Sequence, residues 1–498
     1  MVNASQQLDR VSTGIASLDS ILQGGLPKGE LYVVNGVPGS GKTVLALHFL
    51  QAGAQAGEKV LCIALSQRVE SLKQTAFSVN IQTDKILFQE LSSAQALKYI
   101  TERQTIFDTS EIELEDTMTA FAQTIEEAQP SRVVFDSISY LRLLANDPLT
   151  YRRQILTLRD YLSSRDITVM LTDTQELAPG DKELEAIAHG VIRLSTVVTD
   201  YGDMRRYLYI AKIRGSNYRQ GNHDMKISEQ GLRVYPILSE KTTPIDFEGE
   251  TVTSGVKELD ILLGGGLQTG TSCLLLGPSG TGKTSTATLF AQNFMRQGAK
   301  ASFFLFDELV HTLKQRSAGL GMDLAPFIEQ DQVRFHEINL NGITPGRLLN
   351  RIRRDVIDWG AKLVIIDTLT GYFNSMPSEQ YLLTQMHELL LFLSRQGVLS
   401  FLVVAQHGVV GSNLEVPVDI SYLADTVLLL RHFEAEGSLR QAISVYKKRY
   451  GSHEKRIRAL NFQPNGIQVG EPLSQFTGIL SGMPNYVGES RQLFQTDD

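Results

Sequence analysis

Residues 11–43 read VSTGIASLDSILQGGLPKGELYVVNGVPGSGKT, and residues 252–284 read VTSGVKELDILLGGGLQTGTSCLLLGPSGTGKT. The residues that recur at an offset of 241 positions include Gly14, Leu18, Asp19, Gly24, Gly25, Leu26, Gly29, Gly41, Lys42 and Thr43. A repeat of this length is far too long for a solenoid unit. It therefore predicts a duplicated domain.

The length of the chain agrees with two domains, because 498 residues exceed what one ordinary hydrophobic core supports. We expect a first domain over residues 1–240 and a second over residues 241–470. The join falls in the polar stretch 239–250, which has little apolar periodicity. Residues 471–498 have no counterpart after the first copy and form a C-terminal tail.

Composition and charge narrow the class of protein. Apolar residues make up 42% of the chain and charged residues 20%, as in globular proteins, which excludes disorder over most of its length. The net charge of −8 argues against a general binder of nucleic-acid backbones. No apolar run approaches the ~20 residues that span a bilayer, and the two cysteines form no disulfide framework. We therefore expect a cytoplasmic protein that does not bind membranes. Nucleic acid is a disfavoured partner, with a local basic groove inside the acidic total as the alternative.

Short apolar runs alternate with segments of helical spacing in both copies. Runs at 31–34 and 273–276 come just before the glycine-rich stretches, and later runs include 133–135 and 363–366. Apolar runs buried on both faces and separated by helices are typical of a mostly parallel sheet flanked by helices. The sequence thus predicts an α/β fold, present twice.

Each copy contains a P-loop, Gly-x4-Gly-Lys-Thr, between an apolar strand and a helical segment. The loop residues are Gly36, Gly39, Gly41, Lys42 and Thr43 in the first copy and Gly277, Gly280, Gly282, Lys283 and Thr284 in the second. Glycines let backbone N–H groups wrap phosphates, the lysine reaches the β- and γ-phosphate oxygens, and the threonine hydroxyl ligates Mg²⁺. A chance glycine-rich turn is a poor alternative for two loops in register. We expect ATP and Mg²⁺ at both sites.

The acid on the magnesium side of such a site should end a later apolar strand. Asp136 follows Arg132-Val133-Val134-Phe135, and Asp367 follows Leu363-Val364-Ile365-Ile366. Both fit the Walker B position, where a carboxylate supports the metal. The alternative is an aspartate that only caps the following turn.

In P-loop ATPases of the RecA kind, a glutamate ends the strand after the P-loop helix and orients or deprotonates the attacking nucleophile. Asp307 and Glu308 stand 24 and 25 residues after Lys283, directly after an apolar run. Adjacent carboxylates at a strand end suit general-base chemistry, although turn or N-cap acids are the alternative. At the same spacing the first copy has Ser66 and Gln67, so we expect it to bind ATP but hydrolyse it slowly.

Two P-loops, the carboxylate pair, the Walker B acids and a Lys-x-Arg near the end of each copy together resemble KaiC, the double-domain family of RecA-like ATPases. The resemblance spans roughly residues 8–485. It implies two tandem RecA-like domains. It also implies a double-ring homohexamer that holds ATP between neighbouring subunits.

On the family's pattern, Lys212 and Arg214 of the first domain, and Lys447 and Arg449 of the second, reach the neighbouring subunit's γ-phosphate. Such cations neutralise charge on a transferring phosphoryl group. One alternative is that these side chains lie on an exposed strand and bind nothing. Another, for the run 447–450, is a nucleic-acid patch.

Members of the family phosphorylate an adjacent Ser-Thr pair in the second domain. The matching residues here are Ser421 and Tyr422, so a tyrosine stands in place of the threonine. The resemblance implies Ser421 as the candidate phosphosite, with an unmodified interface serine as the alternative. The tyrosine puts a two-site phosphorylation cycle in doubt.

These features lead to one main hypothesis. We expect a hexameric Mg-ATP-dependent ATPase with serine autokinase activity in the second domain, acting in signalling or clock-like regulation with a signalling protein as partner. One alternative is an ATP-gated assembly scaffold without physiological kinase activity. The other is a RecA-type DNA-dependent ATPase.

Overall fold

The computed structural model describes residues 9–90, 109–145, 147–174, 182–198, 203–237, 248–339, 342–374, 382–406, 421–435, 437–480 and 484–487. The chain divides into two compact units, residues 1–237 and 238–498. Among the described residues, no helix is long and apolar enough to cross a bilayer.

The first unit alternates strands and helices. Its strands β1–β11 are Arg10–Val11, Leu26–Pro27, Leu31–Gly36, Val60–Ala64, Ile86–Glu90, Arg132–Asp136, Thr168–Thr174, Gly190–Val197, Arg205–Ile213, His223–Ser228 and Gly231–Tyr235. Its helices α1–α7 are Ala16–Ile21, Lys42–Gln55, Val69–Ser78, Thr109–Ala128, Ser139–Leu144, Pro148–Ser163 and Lys182–Ile187.

Within the described part of the first unit, nine strands form one sheet in the order β11-β10-β9-β8-β3-β7-β6-β4-β5. The strands from β8 to β5 are parallel, and β9 to β11 continue the sheet antiparallel. Apolar residues of α2 and α3 pack on one face, and those of α4 to α7 pack on the other. This confirms the predicted mostly parallel sheet with helices on both sides.

The second unit repeats this plan. Its strands β12–β24 are Thr251–Val252, Leu267–Gln268, Ser272–Gly277, Ala301–Leu305, Val333–Glu337, Leu363–Asp367, Leu399–Ala405, Thr426–Ala435, Ser438–Lys448, Arg458–Gln463, Gly466–Pro472, Phe476–Thr477 and Asn485–Tyr486. Its α-helices α8–α14 are Lys257–Leu262, Lys283–Arg296, Val310–Gly319, Ala325–Glu329, Pro345–Arg354, Leu369–Asn374 and Leu382–Arg395. A π-helical segment, Asp355–Trp359, follows α12.

The second nine-stranded sheet, again counted over the described residues, has the order β16-β15-β17-β18-β14-β19-β20-β21-β22. When this order is read from β22 to β16, each strand occupies the same position as its counterpart in the first sheet. β3 and β14 each lie between two parallel neighbours, and all six residues of each strand are buried. Strands buried on both faces explain the continuous apolar runs. Two tandem RecA-like α/β domains result.

The segment predicted as a tail starts inside the second sheet, because β22 extends to Pro472. Beyond it, β23 and β24 pair antiparallel. Ile479 is buried in a small apolar cluster with Phe433, Ala435 and Ala442. The first part of this segment is therefore packed on the second domain, and residues 488–498 lie outside the described residues.

The two domains fill the same core position with different chemistry. In the first, the buried guanidinium of Arg132 donates from Nε and Nη2 to Glu58, at 2.6 and 2.7 Å, and stacks on Phe49. Room for it comes from Gly53 on α2. At the offset of 241 from Gly53 the second domain has Phe294, and the strand register places Leu363 at the position of Arg132; both residues lie in the apolar core of that domain. The first domain thus has a glycine beside a large cation where the second domain has an aromatic ring beside a leucine.

This packing predicts that Gly53→Ala destabilises the first domain. Glycine to alanine in a helix usually stabilises by about 1 kcal/mol, but a Cβ on Gly53 would lie 2.7 Å from Arg132 Nε and 2.8 Å from Val60 Cγ1. We expect a loss of ~1–3 kcal/mol, as in other overpacked cores, measured as a lower unfolding temperature. Gly319→Ala is the matched control, because a Cβ there meets nothing within 4 Å. An unchanged melt for Gly53→Ala would contradict the packing.

Candidate active sites

The first P-loop connects β3 to α2, as the motif requires. Gly41 precedes the first helical residue, Lys42, and has φ = 106°, a conformation that favours glycine. The ammonium group of Lys42 donates to the carbonyls of Gly36 and Val37 at 2.7 and 3.0 Å. Burial lowers the pKa of this lysine, although the charge of Asp136 opposes the shift. A buried cation held by neutral carbonyls is suited to an anionic ligand.

The second P-loop repeats this geometry between β14 and α9. Lys283 donates to the carbonyls of Gly277 and Pro278 at 2.8 and 2.6 Å. Burial lowers its pKa to about 8, with Asp367 acting in the opposite direction. Gly280 and Gly282 have φ = 81° and 87°, so the loop is bent as the first one is. Both loops present a helix N-terminus, which is a favourable site for phosphate.

The Walker B aspartates lie beside the P-loop threonines. The Thr43 hydroxyl donates to Asp136 Oδ2 at 2.8 Å, and Thr172 donates to the other carboxylate oxygen. In the second domain, burial raises the pKa of Asp367 to about 6; a hydrogen bond from Thr284 opposes the shift and the charge of Glu308 adds to it. The peptide bond after each of these aspartates is cis.

A hydroxyl next to a carboxylate fits Mg²⁺, which prefers hard oxygen ligands and usually keeps phosphate oxygens and waters in its shell. Over the residues that the structure describes, no group of three or more His, Cys, Asp and Glu side chains could form a metal cage of its own. Thr43 with Asp136, and Thr284 with Asp367, therefore suit a magnesium ion that is shared with a bound triphosphate.

The predicted carboxylate pair lies next to the Walker B strand of the second domain. Thr368, which follows Asp367, donates its hydroxyl to Asp307. Glu308 Oε1 accepts a hydrogen bond from Arg316 Nη1 of α10 at 2.7 Å, and the charge of Glu308 contributes to the raised pKa of Asp367. Two carboxylates beyond the metal-side acid are thus available for proton transfer.

At the corresponding positions, all within the described residues, the first domain has no such carboxylates. Ser66 and Gln67 are exposed at the corresponding strand end, and Glu70 is exposed in the first turn of α3. At the offset of 241, Thr75 stands where the second domain has Arg316, and its hydroxyl bonds the carbonyl of Ser71. The glutamate–arginine ion pair is therefore specific to the second domain.

One charged pair near the first P-loop was not anticipated. Asp173 of β7 is buried, accepts from Ser139 at 2.8 Å and forms an ion pair with Arg142 of α5 at 3.0 Å. Its charge acts on the pKa of Lys42. The corresponding residues of the second domain are Val404, from the strand register, and Phe373. The available signal was an aspartate near the end of a buried strand, directly after the apolar run Val169-Met170-Leu171 and Thr172.

The basic residues Lys212 and Arg214 lie at the opposite edge of the first sheet from the P-loop. Lys212 pairs with Val191 near the start of β8. Its ammonium donates to the Glu185 carbonyl at 2.5 Å, and Arg214 donates to the Ala186 carbonyl at 2.6 Å. The six residues of β3 separate this edge from the P-loop by roughly 17–20 Å. Neither side chain can reach the P-loop of its own domain.

Lys447 and Arg449 occupy the same edge of the second sheet. Lys447 donates to the carbonyls of Ser421 and Ala424 at 3.0 and 2.9 Å. Arg449 pairs with Asp425 at 3.2 Å and donates to the Tyr422 carbonyl at 2.9 Å. These two cations therefore hold the turn that contains Ser421 and lie far from the P-loop of their own domain.

The candidate phosphosite Ser421 is half-buried in this turn, whereas Tyr422 is 54% exposed. Asp425 fixes the turn further, because its Oδ2 accepts from both the backbone N–H and the hydroxyl of Ser272 at 3.0 Å. In the first domain His189 stands at the position of Asp425 and pairs with Glu30 at 3.1 Å. In the second domain a carboxylate thus binds the arginine of the basic edge directly, whereas in the first domain Arg214 donates to a backbone carbonyl.

Comparisons with known proteins agree with the duplication. A family model described as "ATPase: KaiC" matches residues 11–239 and 252–474. The circadian clock protein KaiC3 of Synechocystis sp. is 25% identical, over 97% of this chain and 96% of the relative. The circadian clock oscillator protein KaiC of Thermostichus vulcanus is also 25% identical (97% and 93%), and KaiC2 of Synechocystis sp. is 26% identical (97% and 85%).

Proposed function

Because the chain belongs to the KaiC family of ATPases, we propose that it is a homohexameric Mg-ATP-dependent ATPase whose second domain carries most of the turnover. The observation that carries this proposal is the pair Asp307 and Glu308 beside the Walker B strand, where the first domain has Ser66 and Gln67. We place it in the cytoplasm, where its two buried free cysteines would stay reduced.

In the proposed ATP site of the second domain, the residues have distinct roles. Lys283 and the N–H groups of the P-loop bind the phosphates. Glu308 accepts a proton from the attacking water as the bond between the γ-phosphorus and its bridging oxygen breaks, and ADP leaves. Thr284 and Asp367 would hold magnesium, which supplies charge neutralisation at the phosphate oxygens.

Lys447 and Arg449 complete the site from the neighbouring subunit. Both side chains lie too far from the P-loop of their own domain to contact a phosphate bound there. This distance supports a role at the nucleotide of a neighbouring subunit. Lys212 and Arg214 act in the same way in the first ring, where hydrolysis is slow because no carboxylate replaces Glu308. ATP thus lies between subunits in both rings.

We propose further that the second domain phosphorylates Ser421. This serine lies in the turn held by Lys447 and Arg449, so a neighbour's γ-phosphate bound by these cations would be brought to it. The serine oxygen would replace water as nucleophile, with its proton passing to Glu308. We expect a signalling protein to respond to the modification.

Replacing Glu308 with glutamine should lower ATP turnover by ~100-fold or more, because general-base catalysis typically contributes that much. Binding of ATP should remain, since the P-loop is unchanged. Phosphate release and equilibrium ATP binding are the two measurements, and Glu70→Gln in the first domain is the control. Turnover that survives Glu308→Gln would remove the base assignment and favour an ATP-gated scaffold in which catalysis is incidental.

Sharing of the site between subunits predicts complementation. Arg449→Ala and Glu308→Gln chains should each be nearly inactive alone. Mixed and reassembled, they should regain turnover, since roughly one site in four would combine an intact Glu308 with an intact Arg449. If the mixture stays as inactive as its components, Arg449 does not act on a neighbour's nucleotide.

Incubation with Mg-ATP should add phosphate to Ser421, detected by intact mass and site mapping. Lys283→Ala is the control and should carry no phosphate there, because the second P-loop no longer holds ATP. Released inorganic phosphate without any phosphorylated protein would reduce the function to that of an ATPase.

A further inference from the structure

An aromatic ring points at the second P-loop from the antiparallel part of the sheet. Phe462 of β21 approaches Gly282 so closely that a Cβ built there would lie 1.8 Å from Cζ and 2.5 and 2.6 Å from the two Cε atoms. The tip of the ring therefore faces the glycine. The side chain as a whole is half-exposed and also packs against the apolar core of the second domain.

A second ring lies on the neighbouring part of the loop. His432 of β19 places Nε2 3.3 Å from the carbonyl oxygen of Ser279, and a Cβ on Gly280 would lie 3.7 Å from the same nitrogen. His432 follows Leu428 and Leu430, which pack on the α9 side of the sheet, so strand alternation puts its ring on that side too. Both rings therefore border the loop on the side of the P-loop helix.

The first domain provides an internal comparison. There the residue against the corresponding glycine, Gly41, is Ile227, whose Cδ1 would lie 2.5 Å from an added Cβ. Strand register places Thr196 at the position of His432. An aliphatic side chain is thus sufficient to pack on a P-loop glycine, and packing alone does not require the two rings of the second domain.

We propose that Phe462 and His432 form a stacking surface for the nucleobase of the nucleotide bound by the second domain, and that the first domain lacks such a surface. This inference rests on the proposed ATP site. The P-loop binds phosphates through backbone N–H groups and leaves the base to be covered by other residues. Stacking on an aromatic side chain contributes on the order of 1–3 kcal/mol per base and tolerates any base.

The test uses Lys42→Ala chains, in which only the second site binds tightly, and compares ATP with inorganic tripolyphosphate by calorimetry. Phe462→Ile copies the first domain. We expect it to weaken ATP binding ~10- to 100-fold, the range that stacking energies give, and GTP binding by a similar factor. Tripolyphosphate, which has no base, should bind as before. His432→Thr should act in the same direction.

Two outcomes would overturn the inference. If Phe462→Ile weakens ATP and tripolyphosphate equally, the ring supports the loop and does not contact the base. If neither affinity changes, the base lies elsewhere. If Lys42→Ala chains with an intact Phe462 bind neither ATP nor tripolyphosphate, the proposed ATP site of the second domain is itself wrong. The reciprocal variant, Ile227→Phe in Lys283→Ala chains, should tighten ATP and leave tripolyphosphate unchanged.

Discussion

A buried ammonium group beneath each P-loop is the constraint on which the rest of the structure depends. Lys42 and Lys283 are held by loop carbonyls, which are weaker partners than a phosphate would be. Each lysine lies where a parallel strand ends and a helix begins, and the charge of an aspartate on a nearby strand opposes the lowering of its pKa. The order of both sheets produces this arrangement by placing β3 and β14 at the centre.

Both domains keep the buried lysine. They differ elsewhere in pairs of neighbouring residues, where both members of a pair are different in the other domain. The first domain has charged side chains, Arg132 beside Gly53 and Asp173 paired with Arg142, where the second has apolar ones. At the end of the strand after the P-loop helix the difference is reversed, because among the described residues the ion pair of Glu308 with Arg316 has no counterpart at Gln67 and Thr75 of the first domain. Each exchange preserves the balance of volume or charge, which explains how one fold supports two different sites.

Much of this arrangement is predictable from local sequence, and the remainder depends on contacts between distant segments. Apolar runs and the P-loop pattern predict the central strands, the helices that follow and the place of Asp136 at the end of β6, because each follows from neighbouring residues. The contact of Arg316 with Glu308, and that of Phe462 with Gly282, join separate elements and leave no local trace. That Lys447 lies far from the P-loop of its own domain could be recognised only once the order and direction of the strands were known.

Asp425 binds Arg449 with one oxygen and the first residue of β14, Ser272, with the other. The same strand ends at Gly277, where the P-loop begins. Within the second domain, β14 therefore connects the phosphate-binding loop at one end to the Arg449 side chain at the other. Any force on the Arg449 side chain and any force on the P-loop therefore act on the same six residues of β14.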